Sequence, residues 1–219
     1  MADVLVISGS AAYADEWHDL PTTSARAAAV IADAGHSVRL REDVEAALAA
    51  PGPAALLVLN VGRPAMARPA EAAAAARAGL DAHLAAGGGL LALHSSVIAL
   101  SNVPELRGLL GGEWVEGRSM HPPYGEAAVS RTAAEHPIAA ELGDFGLQDE
   151  RYSHLEVEPD VTVLFDHEHD GGRHPLVWVR TVGPGRIVYD ALGHDAASYD
   201  SADRRQLIGR SVRWLLGEI

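Results

Sequence analysis

Gly88–His94 reads GGLLALH, a short, nearly unbroken apolar run that opens on glycine and ends on histidine. A run of this length without polar alternation marks a strand covered on both faces. Two similar runs lie upstream, DVLVIS at Asp3–Ser8 and AALLVLNV at Ala54–Val61, and His36–Leu40 reads as a weaker strand between them. Helical segments separate these strands. Helix signals begin at Thr22–Ser24 and run to Ala34, with Gly35 placed for the left-handed turn that ends a helix. Asp43–Ala50 is a short helix stopped by Pro51 and Gly52. The alanine-rich stretch from Pro69 to Ala86 is a strong helix former, and Ala78, Leu80 and Leu84 leave it a face for packing. Up to His94 the chain therefore alternates β-α-β-α-β-α-β, which predicts an α/β fold with a right-handed, doubly wound parallel sheet.

Beyond His94 the pattern changes. Val103–Leu110 reads as a short helix ahead of Gly111-Gly112, and strand-like runs follow at Glu126–Thr132, Arg151–Val157, Val161–Phe165, Leu176–Arg180 and Arg186–Leu192. Asp170-Gly171-Gly172 and Gly183-Pro184-Gly185 supply turns between them. Ser201–Leu216 is an amphipathic terminal helix, with Ser201 as its N-cap and Trp214 on its buried face. No repeat or linker interrupts the chain, so a single domain over residues 1–219 with a β-rich C-terminal elaboration is expected. An exposed edge strand in that half would offer a surface for homo-oligomerisation.

Composition narrows the function classes. Thirty acidic residues against 17 basic ones give a net charge of −13, and no basic stripe is present. Nucleic acid and anionic membrane surfaces are therefore poor partners. No apolar run reaches the ~18–20 residues of a membrane span. The first strand carries acidic Asp3 where a secretory leader would have a basic flank, so a cytoplasmic location is expected. The chain has no cysteine, which removes disulfides, thiolate metal sites and cysteine nucleophiles, whereas its 11 histidines leave His, Asp and Glu as metal-ligand types. Gly87–Gly89 precedes a strand rather than opening a helix, so no nucleotide cofactor is expected.

Ligands of open parallel sheets bind beyond the carboxyl ends of the strands. His94 ends the fourth strand, His18 lies in the segment leaving the first, and His194 follows RIVYDAL through Gly193. His121-Pro122 and Asp149-Glu150 lie in segments able to fold over that same edge. Imidazole nitrogens with one carboxylate suit zinc, iron, nickel or manganese, and without metal the same groups suit acid–base work near neutral pH. No compact HExxH spacing is present to choose between these. Each residue also has a plainer role available: His94 as a satisfied core histidine, His194 bonded to its neighbour Asp195, His18 as a solvated loop residue, His121 opening a Pro-Pro turn, and Glu150 as an exposed strand carboxylate. Asp149 is expected to be structural. His167-Glu168-His169-Asp170 is expected in a solvated hairpin tip, and His136 beside the N-terminus of a short helix. Ser95 and Ser96 sit at a strand-to-helix turn, but the G-x-S-x-G elbow of a serine hydrolase is not met.

The order of HDLPTT, GGGLLALHSS, the GGEW…HP segment, HPI, DERY, PLVWVR, GPGRIVYDALGHD and the final helix with Trp214 resembles the ThuA-like family, named for trehalose utilisation. That resemblance spans nearly the whole chain. It implies a flavodoxin-like core similar to the class I glutamine amidotransferases. Those enzymes carry a cysteine in the turn where this sequence has His94-Ser95-Ser96, so glutaminase chemistry does not carry over. The matched polar positions are His18, His94, His121, Glu150 and His194, and the insert EWVEGRSM separates GG from HP more widely than the family pattern does. The resemblance adds a carbohydrate context, with a trehalose-like disaccharide or a keto-glycoside as the small-molecule partner.

The resulting expectation is a sugar-processing enzyme in which His94, His194 and Glu150 are catalytic. His94, His121, His194 and Glu150 would hold a divalent metal such as zinc, and His18, Trp114 and Tyr152 would contact the sugar. The alternative is a non-catalytic sugar- or metabolite-binding module, or a subunit of an oxidoreductase complex.

Overall fold

The computed structural model describes residues 1–14, 16–99, 103 and 105–219. Strands β1 (Asp3–Ser8), β2 (Ser37–Arg41), β3 (Leu56–Asn60) and β4 (Gly89–Leu93) alternate with helices α1 (Leu20–Asp33), α2 (Val44–Ala49) and α3 (Ala70–Ala85). Two short helices, α4 (Ser96–Ala99) and α5 (Leu106–Leu110), precede β5 (Gly112–Glu113), β6 (Gly125–Arg131), β7 (Phe145–Asp149) and β8 (Glu156–Val157). Then come β9 (Thr162–His169), β10 (Gly172–Val182), β11 (Gly185–Asp190) and the terminal helix α6 (Ala202–Leu215). Pro104, within the helix expected over Val103–Leu110, lies outside the described residues.

Among the described residues, nine strands form one sheet in the order β2-β1-β3-β4-β11-β10-β9-β6-β7. The first five run parallel, and the remaining pairings, β11 with β10 through to β6 with β7, are antiparallel. Val6, Val58, Leu91 and Val188 stand side by side across four parallel strands, all fully buried. That row explains the unbroken apolar runs: helices cover both faces, α1 packing with α6 and α2 with α3. The architecture is a parallel-dominated α/β sheet of flavodoxin-like type with an antiparallel extension.

Several local readings are corrected. Helix α1 starts at Leu20, ahead of Thr22–Ser24, because Asp19 caps it by accepting from the Thr22 N–H at 3.2 Å and Pro21 fits the first turn. The strand expected over Arg151–Val157 is broken: Ser153 bridges Met120, His154 adopts a left-handed φ of 59°, and only Glu156–Val157 pairs with β5. Strand β7 had no counterpart in the sequence reading. The expected solvated tip at His167–Asp170 is also wrong in part. The turn is at Asp170-Gly171, but β9 runs on through His169, and His167 is fully buried, its Nε2 3.1 Å from the Tyr152 carbonyl oxygen. Trp214 packs against the core as expected, though half-buried, its ring centre 4.9 Å from that of His136 and 5.3 Å from the Arg186 guanidinium.

Candidate active site at the carboxyl edge of the sheet

His94 leaves β4 with a left-handed φ of 40°, a conformation few non-glycine residues adopt. The surroundings fix it there. Its N–H donates to the Asp190 carbonyl oxygen at 2.7 Å, and its own carbonyl accepts from the Tyr189 hydroxyl at 2.9 Å. Its Nδ1 lies 2.6 Å from the Ala191 carbonyl oxygen. A carbonyl can only accept, so Nδ1 carries a proton, and in the neutral ring Nε2 presents a lone pair to the pocket. The next two residues are anchored differently. The Ser95 hydroxyl donates to the Val61 carbonyl at 2.9 Å and the Ser96 hydroxyl to the Leu59 carbonyl at 3.0 Å, so both are tied to the backbone around β3 rather than offered as nucleophiles.

Three further residues converge on His94 Nε2. His18 Nε2 is 3.0 Å away, the Tyr152 hydroxyl 3.1 Å and Glu150 Oε2 3.6 Å. His194 places Nδ1 3.2 Å from the same Glu150 oxygen. One donor atom from each of His18, His94, Glu150 and His194 lies within 4.8 Å of every other. His121 is set outside this group: its Nδ1 lies 3.4 Å from Glu150 Oε1 and 3.0 Å from the Pro122 carbonyl, and its side chain is 38% exposed. Tyr152 is buried, and the Trp114 ring meets it edge-on with centres 4.9 Å apart.

Asp149, at the end of β7, organises the far wall. One carboxylate oxygen accepts from the N–H groups of Glu150 at 2.8 Å and His194 at 3.0 Å, and the other from the Gly193 N–H at 2.8 Å and the Ser198 hydroxyl at 2.6 Å. Gly193 has a φ of 113°, and a Cβ there would stand 3.0 Å from the Tyr199 hydroxyl, so this turn requires glycine. Behind it, fully buried Arg204 forms an ion pair with Asp190 and donates to the Leu192 carbonyl at 3.0 Å.

Burial pushes the Glu150 carboxyl up, but His194 and His94 outweigh it and hold the group well below the usual carboxylate range. For His194, burial lowers the imidazole, while contact with Glu150 and the charges of Asp149 and Asp195 raise it above its ordinary value overall. The pair thus favours an ionised carboxylate beside a readily protonated imidazole.

The sequence reading did not single out Tyr124, whose ring centre is 5.4 Å from that of His194; burial and a hydrogen bond to Asp195 raise its phenol well above the usual range. Nor did it identify Trp17, exposed beside His18. Both lie in irregular segments, Trp17 beside His18 and Tyr124 immediately before β6, and neither carries an imidazole or carboxylate, the groups that mark the other candidates.

No curated protein matches the chain by sequence. Its fold is shared with a ThuA-like protein from Parabacteroides merdae ATCC 43184, at TM-score 0.82 and 18% identity over 99% of this chain and 90% of that one. A ThuA-like protein from Bacteroides uniformis ATCC 8492 aligns at TM-score 0.76 and 18% identity, over 98% and 91% of the two chains. The β-galactosidase of Rahnella sp. R3 contains a similar fold, at TM-score 0.64 and 16% identity over 100% of this chain and 31% of that one. The family model described as ThuA, trehalose utilisation, matches residues 3–215, and the chain belongs to that family.

Proposed function

We propose that this ThuA-family chain is a sugar-processing enzyme, acting on trehalose-like disaccharides or keto-glycosides at a cation centre formed by His18, His94, Glu150 and His194. The observation that carries the cation centre is that donors of four residues from separate segments lie within 4.8 Å of one another at the strand ends, and the family match supplies the sugar context. The donors suit a cation. Nitrogens and oxygens about 2.0–2.2 Å from a common metal lie roughly 3.0–3.5 Å apart when adjacent. The His18–His94 and His194–Glu150 separations are 3.0 and 3.2 Å. Two imidazole nitrogens at the former distance repel each other unless a proton or a cation lies between them. The buried Nδ1 of His194 lies 3.2 Å from Glu150 Oε2, a spacing at which the two could share one cation.

A divalent cation would supply a Lewis acid for a sugar carbonyl or hydroxyl oxygen. Glu150, ionised at neutral pH, would serve as a ligand, and with the cation removed Glu150 and His194 could act together as an acid–base pair. The buried Tyr152 ring packs against that of His94 with centres 4.4 Å apart and helps to orient it. Asp149 fixes the backbone of both Glu150 and His194 and acts as a positioning residue.

Product analysis after incubation with trehalose and with 3-keto-glycosides tests the reading, alongside metal analysis of wild type and His94→Ala. Conversion that depends on His94 supports it. Ligand-induced thermal stabilisation without turnover would favour a binding module instead, and negligible metal in both proteins would remove the cation.

A further inference from the structure

A cavity of about 630 Å³ opens directly beside the four-donor centre and shares His18 with it. That volume lies within the range of small-molecule sites. Trp17 lines it while 72% exposed, an unusual state for the largest apolar side chain at a point where the chain could have placed a polar one. Trp114 lines the same cavity, and its contact with Tyr152 joins the cavity to the His94 wall. The charged groups among the described lining residues are Arg63, Glu16 and Glu116, with Arg63 and Glu116 3.4 Å apart. One guanidinium, already beside a carboxylate, against two carboxylates disfavours phosphates and other anions. Flat indole surface in a cavity without net positive charge suits the C–H face of an uncharged pyranose, with the ionic rim free to meet its hydroxyls.

We propose that this cavity is a subsite for the second ring of a neutral two-ring glycoside whose first ring reaches the His18–His94 centre. The inference rests on the sugar-processing reading and adds to it the location of the second ring and the side chains that hold it. Trp17 is the platform at the entrance and Trp114 the connection to the reacting end.

Calorimetric titration of the intact protein with trehalose and with methyl α-glucoside tests it, using wild type, Trp17→Ala and Trp17→Tyr, with glucose 6-phosphate as the anionic control. Trehalose is expected to bind wild type about 10-fold tighter than the one-ring sugar, the size of a good stacking contact. Trp17→Ala should shrink that gap to under about 2-fold while metal content stays unchanged, and Trp17→Tyr should keep most of it. An undiminished gap in Trp17→Ala, or tighter binding of glucose 6-phosphate than of trehalose, would overturn the subsite. If the two neutral sugars bind equally in wild type, the subsite falls and the sugar reading stands. If neither binds, the subsite falls, and the sugar reading falls with it when the 3-keto-glycosides also give no product.

Discussion

His94 Nδ1 lies 2.6 Å from the carbonyl oxygen of Ala191, the first residue after β11. This contact ties the turn after β4 to the end of the neighbouring strand and fixes the imidazole tautomer, so that Nε2 faces His18, Tyr152 and Glu150. The reactive end of the ring is set by a backbone group that no substitution can remove.

Asp149 should matter out of proportion to its distance from any substrate. Four donors share its two oxygens. Asp149→Asn replaces one acceptor oxygen by an NH₂ donor facing the Gly193 N–H and the Ser198 hydroxyl, or the Glu150 and His194 N–H groups. A loss of about 2–4 kcal/mol is expected in urea unfolding, with metal affinity falling roughly 10–100-fold. Unchanged stability and affinity together would show that the Gly193-His194 turn is held by other contacts.

The Arg204–Asp190 pair supports the same turn from beneath. Arg204→Met strands a buried carboxylate and should cost about 3–5 kcal/mol, whereas Arg204→Met with Asp190→Asn should recover part of that loss. Denaturant midpoints of the two variants are the check, and a double variant no more stable than the single one would contradict it.

His167 makes the fold acid-sensitive. Burial is the main cause lowering its pKa from 6.5 to about 4, helped by Arg151 and His174 and opposed by the Tyr152 carbonyl. Between those values the unfolded chain binds a proton that the folded chain does not, so stability falls as pH drops through this window. The contribution is on the order of 3 kcal/mol when the window is crossed completely. His167→Gln should flatten the stability profile between pH 6.5 and about 4, measured by urea titration at several pH values. A variant with the wild-type slope would place the acid sensitivity elsewhere.

The sequence made the parallel half of the sheet legible because β1, β3 and β4 are buried on both faces and so contain almost nothing polar. Strand β7 escaped because it lies at the sheet edge, and Gly146 and Gln148 leave only Phe145 and Leu147 as apolar signal before the strand ends. His167 was misplaced because the polar letters around it mimic a hairpin tip, while strand length is set by pairing with β10. At the site, strand ends pointed to His94 and His194, and topology alone brings them together. The choice between His18 and His121 as the fourth donor depends on how two loops fold back, and neither loop has a periodicity to read. The structure puts His18 among the four donors and leaves His121 at the rim.

The most direct test is a cobalt(II) or zinc titration of wild type beside single alanine substitutions of His18, His94, Glu150, His194 and His121. About one equivalent should bind wild type, with affinity lowered by more than about 10-fold in each of the first four variants and by far less in His121→Ala. Wild-type protein that takes up no metal, or ligand variants that bind as wild type does, would contradict the cation centre.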